Sequence, residues 1–234
     1  CYEGFREVLE LFDAVDGRVR SLRKEITGVV KVAAIYSVGL HDMRQCMQDF
    51  MRRYPKANVR LEYLRPNKVY DSVTNSEVDL GIVSYPTASA NMSVIPLRSE
   101  KMVVVCRPDH ALADRKTISA EHLDSHDFVA FERDLLIRKE IDRYLRKRSV
   151  SVRVAMEFDN IETIKEAVGV GAGVSILPEP TVRTEAKSGQ LTAIPLAFPQ
   201  LERPIGIIHR QRKVFTPTMV KFVELLKNVQ ESSE

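Results

Sequence analysis

"VGVGAGVSIL", residues 168–177, places glycines at Gly169, Gly171 and Gly173 ahead of an apolar run that ends at Pro178. Glycines at this density raise the question of a phosphate-cradling loop. A dinucleotide fingerprint runs strand, G-x-G-x-x-G, helix, because the helix start supplies the unpaired N–H groups that hold the phosphates. Here the order is reversed. A helical pattern over 161–169 comes first, the glycines follow, and "GVSIL" (173–177) reads as a strand. The stretch is therefore a helix-to-strand turn, with Gly169 and Gly171 placed to end the helix in the left-handed conformation. Gly173 then lets the chain turn into the strand.

Working outward, the same alternation recurs. "FVAF" (128–131) and "VRVAMEF" (152–158) read as strands around a helix over about 134–148. Upstream, "VVKVAAI" (29–35), "VRLEYL" (59–64) and "DLGIVS" (79–84) read as strands. They alternate with a helix over 39–54 and a short helix that Asn67 can cap through Ser76. "KMVVVCR" (101–107), "LTAIPL" (191–196) and "PIGIIHR" (204–210) add strands, and 216–229 a closing helix with Pro217 in its first turn. Strand and helix in alternation predict parallel sheets, hence two α/β units. The chain is expected to cross between them near 98–106 and 197–205.

The first 26 residues carry apolar positions at Cys1, Phe5, Val8, Phe12, Val15, Val19, Leu22 and Ile26. Their alternating spacing of four and three is a heptad seam, the pattern of a helix that needs a partner, favouring another chain over its own domain.

Composition is that of a soluble globular chain: 44% hydrophobic, 29% charged. A net charge of +3, from 35 basic and 32 acidic residues, does not by itself mark a nucleic-acid binder. No apolar run is long enough for a membrane span, so no membrane partner is expected. Cys1, Cys46 and Cys106 are widely spaced and form no C-x-x-C pair, so neither a zinc site nor a disulfide framework is indicated, and a reducing, cytoplasmic setting is the simplest reading. The five histidines, His41, His110, His122, His126 and His209, are dispersed, without metal-ligand spacing. No nucleophile stands in a recognisable setting and there is no G-x-S-x-G. The chain is read as a non-enzyme with no metal, no cofactor and no catalytic residues. The basic run "HRQRK" (209–213) reads most simply as a solvated loop.

Six segments carry a resemblance. "EAVGVGAGVSILPE" (166–179) resembles the most recurrent segment of the effector-binding domain of LysR-type transcriptional regulators. "GVVKVAAIYSVG" (28–39), "FMRRYPKANVRLEY" (50–63) and "VTNSEVDLGIVSYP" (73–86) are similar to its first three strands and their flanks. "RPDHALADRKTIS" (107–119) resembles its Pro-x-His-Pro-Leu turn, with Ala111 in place of the usual proline, and "KSGQLTAIPL" (187–196) its Ser-Gly-x-Leu strand start. Together they cover about 28–228, and the heptad helix matches the family's linker helix. The resemblance implies a periplasmic-binding-protein type II architecture, two Rossmann-like α/β subdomains with a ligand cleft at their hinge, preceded by the linker helix. The expected boundaries are 1–27 for the linker, 28–104 plus 206–234 for the first subdomain and 105–205 for the second. It further implies an N-terminal winged helix-turn-helix that reads DNA and is missing from these residues, and assembly into homodimers or homotetramers.

A small-molecule effector is expected at the carboxyl ends of the strands. These ends are Tyr36-Ser37-Val38, Pro66-Asn67 and Ser84-Tyr85 in the first unit, and Phe131-Glu132-Arg133 and Asn160-Ile161 in the second. They match the family's effector-contacting loops, and Ser37 aligns with its commonest ligand-contacting hydroxyl. Plain capping by Ser37 and Asn67 is the alternative reading. Helix starts at these ends, with Arg65 and Arg133 nearby, point to an anionic effector, although Glu132 opposes it. The competing function is a periplasmic solute-binding protein of a transporter, against which the heptad helix argues.

Overall fold

The run Gly28–Ala34 forms strand β1, and its side chains Val30, Val32, Ala33 and Ala34 are completely buried. A β-branched apolar run is what a strand covered on both faces requires. The computed structural model describes residues 26–39 and 42–231, together with Gly4, Val8, Leu9, Leu11, Phe12, Val15 and Val19. Of the heptad seam, Val8, Phe12, Val15 and Val19 are helical and exposed. Ile26 is half-buried and outside any helix; Cys1, Phe5 and Leu22 lie outside the described residues.

The chain divides into two compact units, Cys1–Arg98 with Gly206–Glu234, and Ser99–Ile205. In the first, β1 pairs in parallel with β2 (Ala57–Tyr63) on one side and β3 (Leu80–Ser84) on the other. The order continues from β3 to β9 (Glu202–Arg210) and β4 (Met92–Cys106), two strands whose other halves belong to the second unit.

The helix expected over 39–54 is two elements, α1 (Tyr36–Gly39) and α2 (Asp42–Arg53); residues 40 and 41 lie outside the described residues. Helix α2 buries Met43, Cys46 and Phe50, and Phe50 meets Phe222 edge-on at 5.4 Å, on the closing helix α7 (Pro217–Glu231). Burial of each such side chain contributes about 1.5–3 kcal/mol. Helix α3 (Pro66–Thr74) lies so close to β3 that a Cβ on Gly81 would come within 2.7 Å of Val69.

Asn67 is not the cap of α3. The cap position is Arg65, in extended conformation and without a side-chain cap bond, and Asn67 already lies inside the helix. The reason is Pro66: its fixed φ suits the first helical position and its missing N–H leaves nothing there to satisfy.

In the second unit, β4 pairs antiparallel with β7 (Ser175–Pro178) and β8 (Thr192–Pro195). Strand β5 (Asp127–Phe131) pairs in parallel with β6 (Arg153–Phe158) and touches the start of β7 through a bridge between Phe128 and Val174. Helices α4 (Leu136–Arg146) and α5 (Ile161–Gly169) bury Ile137, Ile141, Ile164 and Val168. The glycine stretch is the expected helix-to-strand turn with one correction. Gly169 is the last helical residue and Val170 the cap, while Gly171, at φ +91°, takes the left-handed position. Gly171 N donates to Val168 O and Ala172 N to Ala167 O, both at 3.0 Å, the two bonds of a Schellman ending.

One helix has no counterpart among the expected elements. Helix α6 (Glu179–Ser188) buries only Val182 among its own residues, too little for periodicity to reveal. Its local signals are Pro180 in the first turn and Gly189 at φ +74° beyond the end.

Candidate functional site

Parallel pairing brings the first set of expected residues to one end of the first unit. Ala34 stands opposite Tyr63 on β2 and opposite Ile82 on β3. Leu64 N donates to Ala34 O, and Ile35 N to Ile82 O, so the register holds past the strand ends. Two residues beyond Ala34, Tyr63 and Ile82 lie Tyr36, Arg65 and Ser84. Tyr36 is half exposed, and its ring stacks on Tyr63 with centroids 5.8 Å apart. Ser37 is half-buried and Val38 buried, its N–H donating to Ile35 O. Arg65 and Asn67 are exposed, and Pro66 is half-buried. Ser84 and Tyr85 are half-buried, and Tyr85 has φ +50°, uncommon for a bulky residue and frequent at functional loops. The loop after it is held by Tyr70, whose hydroxyl accepts from Thr87 N at 2.9 Å.

In the second unit the ends of β5 and β6 are neighbours, with Phe131 opposite Phe158 and Glu132 N donating to Phe158 O at 2.9 Å. Phe131 and Ile161 are buried, Glu132 is half-buried and Arg133 exposed. Asn160 caps α5: its Oδ1 accepts from Thr163 N and Thr163 Oγ1, each at 2.9 Å. Arg133 Nε donates to Glu157 Oε1 at 3.3 Å.

A residue outside the expected set organises this end. Arg138 of α4 is 5% exposed. It donates from Nε to both carboxylate oxygens of Asp142 at 2.9 Å, and from Nη1 to Glu157 Oε1 at 2.9 Å and to Phe131 O. Its hydrogen bond is the largest cause holding the Glu157 carboxyl below its ordinary range; burial opposes it, and Arg133 adds a lesser pull in the same direction. The signal in the sequence is a cation within the buried stripe of α4, four residues before an aspartate.

One further expectation changes. The run 209–213 is not simply solvated: Lys213 Nζ pairs with Asp79 at 2.8 Å with both side chains largely buried, Arg210 bonds Ser76 Oγ, and His209 packs edge-on against Phe215. The histidines are dispersed in sequence, yet the rings of His110 and His126 lie 5.6 Å apart in the second unit. Among the described residues no cluster of His, Cys, Asp or Glu could hold a metal ion, and no helix is long and apolar enough to cross a membrane.

Comparison with known proteins agrees on the family. The family model described as the LysR substrate binding domain matches residues 23–231. YbhD of Escherichia coli K12, named an HTH-type transcriptional regulator, is 26% identical over 224 residues, covering 96% of this chain and 70% of that protein. CysL of Bacillus subtilis 168, also an HTH-type transcriptional regulator, is 21% identical over 99% of this chain and 77% of its own length. The regulatory domain of Synechocystis PCC6803 CcmR, solved in complex with 2-PG, superposes with a TM-score of 0.78 at 25% identity, covering 87% of this chain and 97% of that one. Such regulatory domains have the periplasmic-binding-protein type II fold. These matches favour a regulator over the transporter-associated alternative. With the family model spanning nearly all of the described sequence, this chain belongs to the LysR-type regulators and is their effector-binding domain.

Proposed function

We propose that this domain senses a small anionic effector through the carboxyl ends of its parallel strands. One observation carries the reading: pairing of β1, β2 and β3 brings Tyr36-Ser37, Arg65-Pro66-Asn67 and Ser84-Tyr85 to the same end of the first unit. Ser37 offers a hydroxyl, and Arg65 an exposed cation. The first turn of α3 adds backbone N–H groups that a helix leaves unpaired. In the second unit, Phe131, Glu132, Arg133, Asn160 and Ile161 are the proposed contacts. The Arg133 charge is shared with Glu157.

The domain works as the sensing part of a cytoplasmic DNA-binding regulator and is not an enzyme. The helix-turn-helix names of its relatives support this. The exposed heptad positions Val8, Phe12, Val15 and Val19 support pairing of two copies through their N-terminal helices. An effector that binds two arrangements unequally then shifts the balance between them, and with it DNA affinity.

A thermal-shift series with dicarboxylates, aromatic acids, phosphate and sulfate tests the site. An anion at one hundred times its dissociation constant stabilises the domain by about 2.7 kcal/mol. The shift is expected to shrink in Ser37→Ala and in Arg65→Gln. Anion binding that both variants leave untouched would move the site elsewhere.

A further inference from the structure

We infer that the effector carries a flat conjugated ring next to its anionic group, an aromatic carboxylate in chemical class. The inference rests on the proposed site at the strand ends of the first unit. Tyr36 is the first residue beyond β1 apart from the buried Ile35, and it directly precedes Ser37. The residue is 50% exposed although its ring lies against Tyr63, 5.8 Å between centroids and 27° between planes. The stack fixes one side of the Tyr36 ring and leaves much of its surface open. A ring already held in place loses little freedom when a ligand settles on it.

Tyr85 adds a third aromatic at this end, beyond β3, held at φ +50°. Three of the seven tyrosines thus stand at or just beyond the carboxyl ends of three neighbouring strands. An ordinary solvated strand end favours small polar residues, and a site for a purely polar acid has no use for ring faces. The charge-binding groups stand at the same end. Arg65 follows Tyr63 by two residues as Tyr36 follows Ala34, and Ala34 and Tyr63 are paired across β1 and β2. Ring surface, hydroxyl and guanidinium thus gather at one end of the first unit, and a small molecule whose acid group is attached directly to its ring would use all three. A conjugated ring gains the offset or edge-on attraction between aromatic quadrupoles, which a saturated ring of equal size lacks.

The test compares matched acids by calorimetry on the whole chain: benzoate against cyclohexanecarboxylate, and phthalate against cyclohexane-1,2-dicarboxylate. The aromatic member of at least one pair is expected to bind about tenfold tighter. Tyr36→Leu should erase that ratio and Tyr36→Phe preserve it, while Ser37→Ala weakens both members alike. Equal binding within the pairs, or a ratio that survives Tyr36→Leu in a variant with unchanged melting temperature, overturns the ring inference. If Ser37→Ala still weakens the acids, the proposed site stands without it. Ser37-dependent binding of succinate or phosphate, with none of the ring acids bound, likewise overturns the ring and keeps the site. Aromatic preference that neither Tyr36→Leu nor Ser37→Ala alters overturns site and ring together, as does the absence of saturable binding by any of these anions.

Discussion

Arg203 of β9 and Glu100 of β4 form an ion pair that water barely reaches, with side chains 1% and 2% exposed. Arg203 donates to Glu100 Oε2 from Nε at 2.9 Å and again from Nη2. A pair so deep has given up most of its hydration, so its value lies in neither partner being left alone. Glu100→Leu or Arg203→Met should each destabilise the domain by about 3–5 kcal/mol. The joint replacement Glu100→Leu with Arg203→Met should cost clearly less than the sum of the two single changes. Urea unfolding of the four proteins decides this; additive losses would mean that the two residues act independently.

The glycine turn makes a graded prediction. A Cβ at Gly173, where φ is +147°, would stand 2.4 Å from the carbonyl oxygen of Asp127. Gly173→Ala should cost about 2–3 kcal/mol or more, because a backbone neighbour cannot yield as a flexible side chain can. At Gly171, with φ +91° and Arg107 Nη1 at 3.1 Å, alanine should cost about 1–2 kcal/mol, chiefly for the left-handed backbone. Gly169 is helical with open space around its Cβ position, so alanine there should stabilise by up to about 1 kcal/mol. Melting temperatures falling in the order Gly169→Ala, wild type, Gly171→Ala, Gly173→Ala are expected. Any loss in Gly169→Ala contradicts the assignment of that residue to the helix.

His110 gives the domain a pH dependence. Burial lowers its pKa from the ordinary 6.5, the facing His126 lowers it further, and Asp109, itself paired with Arg107, opposes both. A depressed folded value means that the neutral ring is favoured in the native state. Its contribution is therefore complete above pH 6.5 and lost as pH falls through the folded value. The slope for one proton is at most about 1.4 kcal/mol per pH unit. His110→Gln should flatten the fall in stability below pH 6.5, and His126→Gln should flatten it less. A profile that His110→Gln leaves unchanged would assign the acid sensitivity to other groups.

Strand and helix order was legible in the sequence because it follows from local periodicity and backbone preference. The β-branched run at 29–35, the reversed glycine order at 168–177 and the helix over 161–169 each reflect short-range sterics that act before any partner arrives. Boundaries set by special residues were less legible: Pro66 moved the start of α3 off Asn67, and α6 hid behind a single buried apolar side chain. The candidate site was legible as a set of strand ends, since parallel strands put their carboxyl termini on one side. Pairings between distant residues were not, because a side chain's partner depends on which strands become neighbours. Only the tertiary structure decided that Tyr36 stacks on Tyr63, that Arg138 joins Glu157 and Asp142, and that Arg203 meets Glu100 across 103 positions. Charges so withdrawn from water persist only where the fold supplies a counter-charge at contact distance. No local pattern in the chain records that requirement.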